Sequence, residues 1–556
     1  MTSTVEIERF LRRFEDRVAP VEKAVSEAWW ALATTGTEEA QKELVRAGNE
    51  YNQLFNDRTE YEKVRDWYEK RGEIKNLLLR RQVEVLYHTY ASRQGDPEIL
   101  EHIEELEAQA NATYSNHRAR LGDREVGENE VRDILRASED EALRRETWEA
   151  SKTVGREVEE TVRELARLRN RLAREAGYEN HYYRSLDLQE IDAAELERIM
   201  EDLESATEAP FRELKETLDA GLKEKFGIEV LMPWHLSDPF FQSCKQDPAV
   251  YSDSRGSSGG KAGVGDDGSA GAKLDVDRFF RDKDIEALTR KTYDNMGLEV
   301  RDVLARSDLY EREGKSQHAF CLSIGRECPY DVRVLANIKP DSYWMDTMLH
   351  EFGHAVYDKH INPKLPYLLR SIAHINTTEA IALMMGSLAD DPDWLTAVAG
   401  VAGSELDGDR EYLIGREKAD RLVFTRWALV MFHFERELYA DPDRDDLNEV
   451  WWDLVGRFQL VERPPGRDEP DWAAKLHVAL SPVYYHNYVL GHLIAAQLRS
   501  YMESYITRGP FFMSEVAGRY LLEAVFGPGA REDWQTTVLR ATGETLNPDY
   551  FVKSLR

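Results

Sequence analysis

Cysteine is scarce: Cys244, Cys321 and Cys328 are the only three in 556 residues. An odd, sparse set cannot build a disulfide framework and points to reduced thiols and a cytoplasmic setting. Long apolar runs are also missing. The longest candidates, Tyr488–Leu498 and Leu422–Phe434, are interrupted by His, Arg or Gln, so no membrane-spanning helix is expected. The opening MTSTVEIERFLRRFEDRVAP is charged and amphipathic and has no apolar signal core. Basic residues fall short of acidic ones, 73 against 104, for a net charge of −31. That balance argues against nucleic acid and against anionic membrane surfaces as partners. What is present is a composition 42% hydrophobic and 10% aromatic, enough for a large buried core.

The patterning is mostly helical. Residues 5–220 repeat apolar and charged positions at spacings of three and four, as in EEALRRETWEASKTVGREVEETVRELARLRNRLAREAG, with Gly177 as a C-terminal stop. Pro233 and Pro239 in IEVLMPWHLSDPFF mark a loop or short strand. Residues 251–275 are rich in Gly, Ser and Ala and predict a flexible surface insertion. Alternation around Gly-Arg-Glu-Cys-Pro in residues 317–338 predicts a small antiparallel hairpin. From Ser342 onward the pattern is helical again. We expect one catalytic domain over 1–556, with a mainly helical half over 1–230 and a second half over 276–556.

The chemistry concentrates after Pro340, in DSYWMDTMLHEFGHAVYDKHI. Asp341 or Ser342 can cap a helix here. His350 and His354 are four apart, so both imidazoles leave one face, one turn apart, at a spacing that grips one Zn²⁺. Glu351, next to His350, is placed to take a proton from metal-bound water. With 14 His in the chain and Glu near one residue in ten, chance gives roughly 0.03 such motifs per chain of this length. A catalytic zinc needs a third protein ligand. Glu379 in AHINTTEAIALMMG is the candidate, in the first turn of a second helix capped by Asn376 or Thr377. His360 and His374 are rivals. His360 lies six residues past His354 and faces elsewhere on the helix, and His374 falls in the connection.

A third cluster, WAAKLHVALSPVYYHNYVLGHLIAAQL, holds Lys475, His477, Tyr484, Tyr485 and Tyr488. Tyr and His donors stabilise the oxyanion of peptide hydrolysis, and a Lys holds a carboxylate as a point charge. Core packing is the competing explanation for these aromatics.

HEFGH followed by NTTEA resembles the gluzincin peptidases. Within them the chain is most similar to the angiotensin-converting-enzyme family of peptidyl-dipeptidases, from about Asn170 onward. The resemblance rests on AGYENHYYRSL, GKSQHAF, WWDLVGRFQLVERPP, AAKLH, PVYYHNYVL and GETLNPDYFVKSL. The thimet-oligopeptidase and oligoendopeptidase group is the closest rival. The resemblance implies a mainly α fold, a large helical ellipsoid of two halves around a deep cleft, with a small antiparallel sheet near the zinc helix. It implies one zinc per chain on His350, His354 and Glu379, with Glu351 as the base and His477 and Tyr488 facing the oxyanion. Lys475 and Tyr485 would hold the terminal carboxylate of a short peptide, and His318 and Ala319 would pair with its backbone. A monomer or weak homodimer is expected.

Several positions depart from that pattern. The spacing from His477 to Tyr485 is one residue too long, so Tyr484 competes for the same role. The glutamine that helps hold the carboxylate has no clear match. Val455 and Asn487 replace chloride-binding arginines, of which Arg184 alone fits, and Leu383 replaces an aspartate that supports the zinc ligands. The first expectation is a peptidase releasing C-terminal dipeptides. An oligoendopeptidase cutting internal bonds is the alternative, and an inactive helical binding module the last.

Overall fold

The computed structural model describes residues 4–245 and 275–555; residues 251–274 of the expected insertion lie outside them. The fold is mainly α. Two two-stranded antiparallel hairpins are the only sheets among the described residues. The chain forms two compact units, each assembled from three stretches. The first comprises Met1–Gln94, Asp275–Leu406 and Leu490–Tyr550; the second comprises Gly95–Leu274, Asp407–Val489 and Phe551–Arg556. Residues 1–94 therefore share a unit with the helix that carries His350.

In the first unit, helix Thr4–Thr35 buries Ile7, Phe10, Leu11, Phe14 and Val18, a stripe at helical spacing. Phe55, Trp67, Val83 and Tyr90 join it in one core cluster. The predicted hairpin pairs Phe320–Ser323 with Val332–Leu335, in the register Phe320↔Leu335. It packs on helix Ser342–Lys359, where Ser323 Oγ donates to Asp358 at 2.5 Å. Asp341 caps that helix, accepting the Trp344 N–H at 2.8 Å. The next helix, Ile375–Gly386, begins earlier than expected. Its cap is His374, whose side chain accepts the Asn376 N–H, so neither Asn376 nor Thr377 is the cap. Glu379 consequently stands beyond the first turn.

These two helices cross closely because of glycine. A Cβ on Gly353 would lie 2.8 Å from Ala382 Cα, and one on Gly386 would lie 2.5 Å from Asp346 Oδ1. The glycine inside HEFGH therefore sets how near the helix of Glu379 comes to the helix of the two histidines.

The second unit is built from long helices, among them Val154–Glu175, Ala193–Phe226 and Arg410–Ala440. The first is capped by Ala176, with Gly177 at φ +92° as the stop. A hairpin that the sequence reading missed pairs Ala119–Leu121 with Arg124–Val126. Its strands are too short to alternate visibly, but Gly122-Asp123 at its tip is a turn signal. The segment at Pro233 is a 3₁₀ turn, Pro233–His235, and contains no strand.

Gly353→Ala should be strongly disruptive, because the neighbour it meets is backbone and cannot rotate away. We expect a loss of about 1–3 kcal/mol in thermal unfolding, accompanied by weaker metal uptake. Unchanged values of both would refute the helix-crossing argument.

Candidate metal centre and carboxylate-binding cluster

His350 and His354 project from one face of helix Ser342–Lys359, with ring centroids 5.0 Å apart. Ligand atoms of His350, His354 and Glu379 all lie within 4.8 Å of one another. His350 Nε2 is 3.7 Å from Glu379 Oε2. Among the described residues this is the one such group able to hold a metal ion. His360 ends the helix and His374 caps the next, so neither rival joins the cluster. Gly491 lets a third helix approach: a Cβ there would lie 3.1 Å from the Cβ of Glu379 and 3.3 Å from Leu383 Cδ1.

The electrostatics suit a dication. Desolvation pushes His350 down to about 4 and His354 well below its usual range, so both rings are neutral, the form that ligates metals. The same burial pushes Glu379 up to about 7. Burial, reinforced by the charge of Glu379, pushes Glu351 up to about 8, against an opposing backbone N–H from Cys321. A divalent cation would restore the charge of these carboxylates while binding the neutral nitrogens. The donor set therefore fits zinc.

Leu383 brings no carboxylate of its own to the cluster, and a neighbour of Glu379 contacts one of the histidines. Thr378 Oγ1 lies 2.7 Å from His354 Nδ1. With Nδ1 engaged, Nε2 is the ring's free ligand atom. Sequence reading passed over Thr378 because nothing in a lone threonine marks it as a partner for histidine.

His318 and Ala319 lie just before the hairpin. Strand pairing begins at Phe320, and His318 is exposed in a bend, so the expected edge strand does not extend back to them.

The remaining predicted residues belong to the second unit. Lys475 sits among aromatic rings, with Nζ 5.4, 5.5 and 5.8 Å from the centroids of Phe240, Trp427 and Tyr485. Desolvation pushes its pKa down to about 8. Nζ donates to Gln242 Oε1 at 2.9 Å, so a glutamine stands directly beside this lysine. Asp238 fixes the Gln242 amide, accepting from its Nε2 at 3.2 Å and its backbone N–H at 3.1 Å. Beyond the 3₁₀ turn Pro233–His235 this segment lacks regular structure, and it is held from outside. Arg144 donates to the carbonyls of Trp234 and Leu236 at 2.8 and 3.0 Å, and Gln459 to those of Phe240 and Phe241 at 3.0 and 2.8 Å.

Tyr485 is buried, and its ring lies 5.0 Å from His477. Tyr484 instead packs edge-on to Tyr488 at 5.2 Å. His477 is pushed down to about 4 by desolvation, and its buried Nδ1 has no hydrogen-bond partner. Val455 lines a cavity of about 30 Å³ together with Trp148, Trp451 and Lys152. Burial pushes Lys152 down to about 7. This buried cation also escaped the sequence reading, hidden in the charged pattern of a helix.

Comparison with known families gives two matches. Residues 1–232 match the family model described as angiotensin-converting enzyme, and residues 300–556 match that of peptidase family M3. Comparison with curated proteins finds no match. The likeness is to the angiotensin-converting-enzyme family, with peptidase family M3 as its rival. Both are zinc metallopeptidase families, and the chain is a zinc metallopeptidase acting on peptides.

Thr378→Val removes the hydroxyl and keeps the shape. Zinc affinity, measured by competition with a chromophoric chelator, should fall about 10–100-fold with little change in the melting temperature of the metal-free protein. Unaltered affinity would show that His354 needs no such partner.

Proposed function

We propose that the protein is a peptidyl-dipeptidase that releases dipeptides from the free C-terminus of short peptides. The observation that carries this reading is the pairing of Lys475 with Gln242 inside an aromatic surround. A half-desolvated ammonium turned by an amide is a receptor for one carboxylate, and the end of a peptide supplies one. Tyr485, beside Lys475 and His477, supports the same role better than Tyr484 does.

In this reading His350, His354 and Glu379 hold one zinc ion. The metal, when bound, polarises the scissile carbonyl and acidifies water. Glu351 takes a proton from that water through its carboxylate and passes it to the leaving amine. Tyr488 donates its phenolic hydrogen to the carbonyl oxygen as negative charge develops there, and His477 offers a second donor. His318 and Ala319 would line the path of the peptide backbone.

An oligoendopeptidase is the second reading. It is favoured by the match to peptidase family M3, which spans both the metal cluster and the tyrosines. Products from one decapeptide with a free C-terminus separate the two. Successive C-terminal dipeptides support the first reading, and a single internal cut supports the second.

Four further outcomes are expected. Chelation should abolish hydrolysis and stoichiometric Zn²⁺ restore it, whereas Glu351→Gln should keep the metal and lose most turnover; full activity in metal-free protein would end the reading. C-terminal amidation should raise KM sharply, and Lys475→Ala should erase the difference. The Lys475 ammonium is present below about pH 8 and lost above it, so KM for free-acid peptides should climb as pH rises through 8 while KM for amides stays flat. Tyr488→Phe should lower kcat about 10²–10³-fold, or about 2.7–4 kcal/mol, with KM within a few-fold and zinc content unchanged. A lowered melting temperature with kcat intact would instead make Tyr488 a packing residue.

A further inference from the structure

Val483 adopts φ +53°. A β-branched residue in the left-handed region is strained and persists only where its surroundings over-determine it. Here both of its backbone groups are gripped by side chains. Its N–H donates to Glu435 Oε1 at 2.7 Å, and its carbonyl accepts from Gln189 Nε2 at 3.1 Å. Val483 and Glu435 are buried, at 1% and 3% exposure, so water cannot replace the bond between them. Gln189 reaches further along the same turn: its Oε1 accepts from Asn487 Nδ2 at 2.8 Å and lies 3.2 Å from His486 Nε2. Two residues after Val483 the helix Tyr485–Tyr501 begins. The turn therefore fixes the start of that helix, and with it the direction of the tyrosines in its first turn.

We propose that Glu435 and Gln189 are positioning residues, which hold the strained Val483 turn and thereby set where Tyr485 and Tyr488 meet the substrate. The inference rests on the reading that these tyrosines act on the peptide. Neither residue needs to touch substrate. Relaxation of Val483 out of the left-handed region would rotate the helix start, and small misplacements of reacting groups are expensive in rate.

The test uses the zinc-loaded full chain and a free-acid peptide. Glu435→Leu removes the acceptor for the Val483 N–H, whereas Glu435→Gln keeps an acceptor oxygen. Val483→Gly makes the left-handed conformation intrinsically accessible. Glu435→Leu should lower kcat about 10–100-fold and raise KM, and Glu435→Gln should stay near the parent. The double variant Glu435→Leu/Val483→Gly should recover most of the loss, which a mere packing role for Glu435 would not allow. Should Glu435→Leu fail to fold, Gln189→Leu with and without Val483→Gly gives the same comparison. Parental kcat in Glu435→Leu, or a loss that Val483→Gly does not restore, overturns the proposal. If Tyr488→Phe itself leaves kcat intact, the underlying reading has failed; if it shows its loss while Glu435→Leu shows none, only the positioning role has.

Discussion

The metal cluster depends on how closely two helices can cross. His350 and His354 come from one helix and Glu379 from another, and no local preference brings the third group to the first two. The crossing is possible because Gly353 faces the Ala382 backbone at a distance that no Cβ could share. Gly386 makes the reciprocal approach to Asp346, and Gly491 admits a third helix against Glu379. Three absent side chains thus decide where a present one points. Packing in protein interiors leaves little slack, so an added methyl at Gly353 or Gly491 presses on the helix of Glu379, whereas one at Gly386 first meets the end of the Asp346 side chain.

Both functional clusters are arranged against the preference of charge for water. In the first unit, burial drives the imidazoles toward neutrality and the carboxylates toward protonation. In the second, burial drives Lys475 toward the neutral amine. The carboxylates and the ammonium are groups whose charged form wants a counter-charge that the neighbouring protein only partly provides, and the neutral imidazoles offer free lone pairs. A dication answers the first and a carboxylate the second. The side chains in direct contact orient these groups without neutralising them: Thr378 is uncharged beside His354, and the Gln242 amide is uncharged beside Lys475, whose burial the Asp238 carboxylate only partly offsets.

The sequence revealed what periodicity and spacing encode. The i, i+4 histidines, the hairpin over 317–338 and the mainly helical character were all legible. Glu379 was legible as a candidate, but its place in the helix was not, because the cap is a histidine and not one of the usual small polar residues. Thr378 was invisible, since its contact with His354 is one that no linear pattern announces, and the burial of Lys152 was hidden in a charged helical pattern. Gln242 lay in plain view at the end of LMPWHLSDPFFQ, but the segment has no period by which to set its register. The short hairpin at Gly122 was lost inside a helical stretch for want of length.

That segment is also held in an unusual currency. Arg144 and Gln459 grip it by its carbonyl oxygens, and a carbonyl is the same whichever amino acid bears it. That part of the grip is indifferent to side chains, whereas the buried Trp234, Leu236 and Phe241 and the Phe240 ring beside Lys475 are not free to change. Relatives that share the receptor should keep the loop's path even where its less buried positions differ in sequence. Comparing their structures would recognise the equivalence sooner than comparing their letters.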